Sequence, residues 1–183
     1  MPVNTSLIHV GAGILSLDEG LATALTVEAS EEGGTFAFSG ELEMIEIDEA
    51  IGPVDAFATS EECSFSVTFK ELEAAKVKAA MGHGTITTTA AGVGTKGKDV
   101  LEFGSNSTVT KRTLKYTVPR RHNPALNIIY ELYSVVAIPS LEKKFTKKGQ
   151  TTVAMTFRAL NDMTKVAGKR LGKTTYETAE ATS

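Results

Sequence analysis

Tryptophan is absent from the 183 residues, proline occurs five times, and cysteine once, at Cys63. One thiol closes no internal disulfide and makes no metal site, so Cys63 reads as a small buried apolar group. No apolar run is long enough to span a bilayer. The segment from Met1 to Leu7 has neither a basic n-region nor an apolar h-region, so no signal peptide is expected and synthesis in the cytoplasm is. Without secretion, the glycosylation-like triplets at Asn4 and Asn106 carry no meaning. Cationic excess is also missing, the net charge being −3. A protein that grips nucleic acid needs a basic footprint; a surface past which nucleic acid slides does not.

Catalytic and ligand-binding patterns are scarce. The three histidines, His9, His83 and His122, are scattered, with no metal-ligand spacing. Gly92 to Asp99 has the spacing of a phosphate loop, but Asp99 stands where magnesium needs a hydroxyl, and the next residues, Val100 to Gly104, read as a strand rather than a helix. A mobile glycine loop explains it better. No serine lies in a nucleophile elbow. Neither an enzymatic activity nor a cofactor is expected.

What remains is rich in threonine and glycine, a composition that leans towards β-structure. Leu7 to Leu17 reads as a first strand with a bend at Gly11 and Gly13, and Asp18-Glu19-Gly20 turns the chain. Leu21 to Ala29 fits either a strand or a short helix. Thr35 to Ile47 alternates, with Phe36, Phe38, Leu42 and Met44 on an expected core face and Glu41 and Glu43 opposite. Asp48 to Thr59 reads as a loop around Ile51-Gly52-Pro53. Ser64 to Lys70 alternates again through Phe65, Val67 and Phe69. From about residue 70 to 81 the run of Ala, Glu and Lys predicts a helix stopped by Gly82, with Leu72, Ala75 and Ala79 on one face.

Further on, residues 84–97 read as a strand and a loop, and 100–104 as a short strand. Thr108 to Val118 places Leu114, Tyr116 and Val118 on one face. Leu126 to Ile138 is apolar on both faces, which suits a central strand ended by Pro139. The basic run 141–149 reads as a solvated loop or a guarded edge strand. Thr151 to Phe157 is the last expected strand. The expectation is a mainly β protein, a β-sandwich of roughly eight or nine strands with one flanking helix. One domain spans residues 1–160, and 161–183 form a polar tail, loosely held or ordered by a partner.

Three stretches resemble the major tail tube proteins of long-tailed, siphovirus-type bacteriophages. They are Leu42 to Phe57, the strand Ser64 to Phe69 followed by the helix closing on Gly82, and the pair Ile128 to Ile138 and Thr151 to Leu160. The likeness is a pattern of elements covering most of residues 5–160. It implies a helix-flanked β-sandwich that forms hexameric rings, whose inner strands join into one barrel and whose loops and arms stack the rings. It also implies a lumen that passes viral DNA without specific binding, tends to be acidic and lies in the virion tail, assembled in the host cytoplasm. Implied partners are further copies, the tape measure, terminator and distal tail proteins, with no membrane. On this reading Glu41 and Glu43 are candidates for the lumen, or alternatively for an outer solvated face. Ile51, Gly52, Pro53 and Val54 are candidates for ring-to-ring contact. Another ring-forming virion part (tail terminator, baseplate hub or head decoration protein) and a monomeric β-sandwich binding module are the alternatives.

Overall fold

The computed structural model describes residues 13–28, 33–48, 51–70, 73–105, 108–120, 123, 125–139 and 152–178. The chain is mainly β, with ten strands and one helix among those residues. In order they are β1 (Ile14–Leu17), β2 (Leu25–Glu28), β3 (Gly34–Glu46), β4 (Pro53–Phe69), α1 (Ala74–Met81), β5 (Thr85–Thr89), β6 (Lys98–Glu102), β7 (Lys111–Pro119), β8 (Asn127–Ile138), β9 (Val153–Ala159) and β10 (Gly172–Tyr176). Eight strands form one antiparallel sheet in the order β2-β1-β7-β8-β9-β4-β3, with β10 added to β8; β5 and β6 make a separate hairpin.

That sheet folds over on itself. The corner lies at the junction of β8 and β9, which pair only through Val135–Ile138 and Thr156–Ala159. Beyond it β9, β4 and the start of β3 pass across the face of β7 and β8, giving two layers around one core, as in a β-sandwich. Phe65 of β4 meets Tyr116 of β7 with ring centroids 4.7 Å apart, and Phe36 of β3 meets Tyr130 of β8 at 5.0 Å. Leu15, Leu17, Phe65, Phe69, Leu114, Val135, Met155 and Phe157 fill the space between. Each such side chain contributes roughly 1.5–3 kcal/mol by leaving water.

Two polar clamps hold the strands in register. The hydroxyl of Tyr116 accepts hydrogen bonds from the Gly13 amide at 3.1 Å and the Gly34 amide at 3.0 Å. One side chain therefore ties the entry to β1, the first residue of β3 and the middle of β7. Glycine is required at both ends of this bridge: a Cβ on Gly13 would stand 2.5 Å from the Tyr116 ring, and one on Gly34 2.5 Å from the Phe65 ring. The second clamp is Asp18, at a positive φ of 52° just after β1. Its buried carboxylate accepts from the Thr113 amide, Arg112 Nη1 (both 3.0 Å) and Thr23 Oγ1 (3.2 Å). Three donors and an opposite charge meet the cost of burying that carboxylate.

The ambiguous segment before Ala29 resolves as a strand, β2. The helix begins later than the spacing predicts, at Ala74, since Glu73 is extended and makes no side-chain cap; Leu72 lies outside the described residues. The buried side is Val77, Ala79, Ala80 and Met81, with Ala75 exposed, because α1 lies against β8 and β9 on that side. Gly82 ends it as expected, at φ 73°, its amide donating to Lys78 and Ala79 carbonyls. The glycine loop at 92–97 is the turn of the β5–β6 hairpin, and a strand does come after it. Asp99 there accepts from Thr88 Oγ1 at 2.7 Å. The basic run 141–149 lies outside the described residues.

Two expectations are overturned. The polar tail is not loose throughout: Gly172–Tyr176 pair with Ile128–Leu132, on the same edge of β8 that β9 uses further along. The chain leaves that edge after Ala159, loops out, and returns at Leu171, whose carbonyl accepts from the Tyr133 amide. Backbone pairing, which asks little of side chains, explains a strand in so polar a stretch. The second correction concerns residues 48–59, which are not all loop; Pro53 to Thr59 belong to β4.

Candidate assembly interface

The β3–β4 hairpin is a core element at one end and a free arm at the other. From Cys63 to Phe69, β4 alternates buried and half-buried residues, because β9 pairs with it from Ser64 to Phe69 and the second layer covers it. From Pro53 to Glu62 nearly every residue is exposed, and so is β3 opposite. Past the reach of β9, the two strands run on as a ribbon with both edges unpaired among the described residues. Its β3 strand from Phe38 to Glu46 spans roughly 30 Å at strand rise. A two-stranded hairpin on its own is marginal in water.

Phe38, Leu42 and Met44, expected in the core, are 60%, 62% and 53% exposed. The alternation is real, but among the described residues no second layer lies over this part of the ribbon. Leu42 and Met44 sit opposite Ala58 and Ala56, which makes one face apolar. The other face carries Glu41 and Glu43, with Ser60 and Phe57 opposite, and then Ile45 facing Asp55. A register shift between Glu41 and Leu42 leaves Thr59 as an extra residue. Such a bulge bends the strand and tightens its twist. Thr59 Oγ1 donates to the Glu41 carbonyl at 3.3 Å, and Ser60 Oγ donates to Glu41 Oε2 at 3.2 Å, so the bend is held from both sides.

The tip is apolar. Ile51 is fully exposed, Gly52 turns the chain at φ 103°, and Ile47 and Val54 are half exposed. Pro53 and Val54 are the first residues of β4, not loop, and proline suits that place because it lacks an amide to donate. The candidate residues thus fall into two groups: Glu41 and Glu43 on one face of the arm, Ile51 to Val54 at its end. Residues 33–69 contain eight acidic side chains and no lysine or arginine. Since the whole chain carries −3, the remainder carries +5. At the base, Glu62 forms an ion pair with Arg158 of β9, the neighbouring strand.

Cys63 sits where the arm enters the core, and burial pushes its thiol pKa up. Burial also raises the Tyr130 hydroxyl, with Tyr176 and Tyr116 adding to the effect. Among the described residues no three His, Cys, Asp or Glu side chains converge on a metal-sized site, and no helix is long and apolar enough to cross a membrane. Neither a family model nor any curated protein matches this chain. Sequence reasoning missed the loop between β9 and β10, which it assigned to the tail. The one available signal was the cluster Lys165, Lys169 and Arg170 beside the exposed apolar residues Met163 and Val166.

Proposed function

We propose that this chain is a structural, non-enzymatic subunit that assembles with copies of itself, and that the assembly is the tail tube of a long-tailed bacteriophage. The observation that carries the reading is the β3–β4 arm: a long strand edge, unpaired among the described residues, with an apolar face, an acidic face and an apolar tip. Exposed apolar area of this extent marks an interaction surface. Unpaired edges invite strand addition, and a ring of copies closes them. Heterologous contacts that close give cyclic rings, and stacking extends them. On this reading the apolar face is covered by a neighbouring copy and the tip, Ile51 to Val54, reaches the next ring. Glu41 and Glu43 then line the bore, where they keep the dense negative charge of a DNA duplex from adhering. The resemblance of residues 42–57, 64–82 and 128–160 to tail tube proteins supplies the particular form, hexameric rings in a virion tail. Tape measure, terminator and distal tail proteins would meet its ends.

The test is negative-stain electron microscopy of purified protein over a range of concentration and salt. Extended tubes are expected; isolated rings would indicate a terminator or hub instead, and a monomer under every condition would refute the reading. A variant with residues 43–56 replaced by a short turn should keep its circular dichroism and lose all tubes.

A further inference from the structure

We infer that the β9–β10 loop, residues 161–171, is the receptor on one copy for the acidic arm of a second copy. This specifies the partner surface of the arm and rests on the self-assembly proposed above.

The loop is built, not slack. Asp162 and Arg170 close its neck through an amide-to-carbonyl bond of 3.0 Å, and turns inside it run from Lys165 to Asp162 and from Lys169 to Val166. The Asp162 carboxylate accepts from the Thr164 hydroxyl at 2.7 Å and the Thr164 amide at 3.0 Å. Arg170 Nε donates to the Lys165 carbonyl at 3.3 Å, and Lys165 Nζ lies 4.9 Å from the centroid of the Tyr133 ring. Held this way, the loop presents Met163 and Val166, 71% and 74% exposed, among Lys165, Lys169 and Arg170. Beside it, an open cavity of about 340 Å³ runs from Ala167–Gly172 to Phe38 and Glu61 at the base of the same chain's arm.

The complementarity has two parts. The arm offers exposed apolar groups among acids with no cation; the loop offers exposed apolar groups among three cations and one acid, Asp162, which is already engaged by Thr164. Ion pairs across such a contact steer docking and fix register more than they add affinity. The arm of a molecule is the continuation of its own β3 and β4 past the reach of β9, so the apolar face and tip of its distal half, Leu42 to Asp55, take their partner from another copy.

The experiment uses two charge-reversed full-length chains, Lys165→Glu/Lys169→Glu and Glu46→Lys/Asp48→Lys, the latter pair lying beyond Met44 towards the tip and away from Glu41 and Glu43. Circular dichroism confirms folding, and Lys165→Gln/Lys169→Gln serves if the first reversal unfolds. Assembly is monitored by sedimentation velocity and electron microscopy. Each reversed chain alone sets like charge against like, and should need about tenfold more protein to assemble than the wild type. Mixed in equal amounts they should assemble near the wild-type concentration, because opposite charges again meet at both contacts. Undiminished assembly of the loop variant, or a mixture no better than its parts, overturns the inference while leaving self-assembly standing. Rescue into closed oligomers that never extend upholds the contact and overturns the tube. A wild type that stays monomeric overturns both, and capture of the loop by an added acidic peptide in place of a second copy overturns the commitment to a homotypic partner.

Discussion

Tyr116→Phe removes one oxygen and should destabilise the fold out of proportion to its size. That oxygen is the acceptor for two backbone amides, Gly13 and Gly34, at 3.1 and 3.0 Å. The phenyl ring keeps its place against Phe65, so packing is conserved and the loss is confined to hydrogen bonding. The Gly13 bond is buried and the Gly34 bond partly so. A buried donor left without an acceptor costs roughly 1–3 kcal/mol. The fully buried amide lies towards the upper end and the other towards the lower, giving a total of about 2–4 kcal/mol. Urea unfolding of dilute protein, monitored by far-ultraviolet circular dichroism, reads this directly. With a slope of about 2 kcal/mol per molar urea, the midpoint should fall by roughly 1–2 M at unchanged slope. A loss below about 0.5 kcal/mol would mean that the two amides find other partners and that the hydroxyl is not the tie between β1, β3 and β7.

Asp18→Ala strands the Arg112 guanidinium and the Thr113 amide and should cost about 3 kcal/mol by the same unfolding assay. Ending the chain after Leu171 removes β10 and uncovers the Ile128–Leu132 edge, so it should lower the melting temperature and increase exchange of those amides. An effect on assembly alone would contradict the pairing of β10 with β8. The Asp162 carboxyl is held below the ordinary aspartate range by its hydrogen bonds from Thr164 and by Lys165. A depressed folded-state pKa means that this support for the loop is present above the unfolded value and is lost as pH falls through the folded one. The Thr164 amide resonance should therefore titrate with a midpoint below that of a free aspartate, and Asp162→Asn should abolish the transition.

How far the fold was legible depended on whether a strand's apolar alternation lay against a second layer. Phe65, Val67 and Phe69 alternate because a second layer covers them, and the period identified both strand and core side. Leu114 and Tyr116 did the same for β7, and the Ala-rich run with its closing Gly82 marked the helix. Phe38, Leu42 and Met44 alternate just as cleanly, yet they lie in the open. Period two reports that one face of a strand is apolar; it does not report what lies against it. The extension of β4 back to Pro53 was hidden by Asp55, Ala56 and Ala58, which carry little strand signal, in a segment whose pairing comes from the opposite strand. Strand β10 was hidden because Gly172 to Tyr176 has no apolar alternation, even though its threonines and tyrosine suit a strand. The Tyr116 clamp joins residues more than eighty positions apart and leaves no local trace beyond two glycines. Of the candidate interface, the acidic pair and the turn were readable; that they sit on one projecting ribbon was not.

The absence of any cation between residues 33 and 69 also bears on a crowded solution of unassembled chains. Two ribbons meeting edge to edge bring carboxylates together with no cation to offset them, and like charges on paired strands repel. A long bare strand is ordinarily a seed for disordered aggregation; here the protein carries its own deterrent, and it weakens as salt rises. On the proposed self-assembly, the stock of free subunits is thereby kept from misjoining before ordered growth begins.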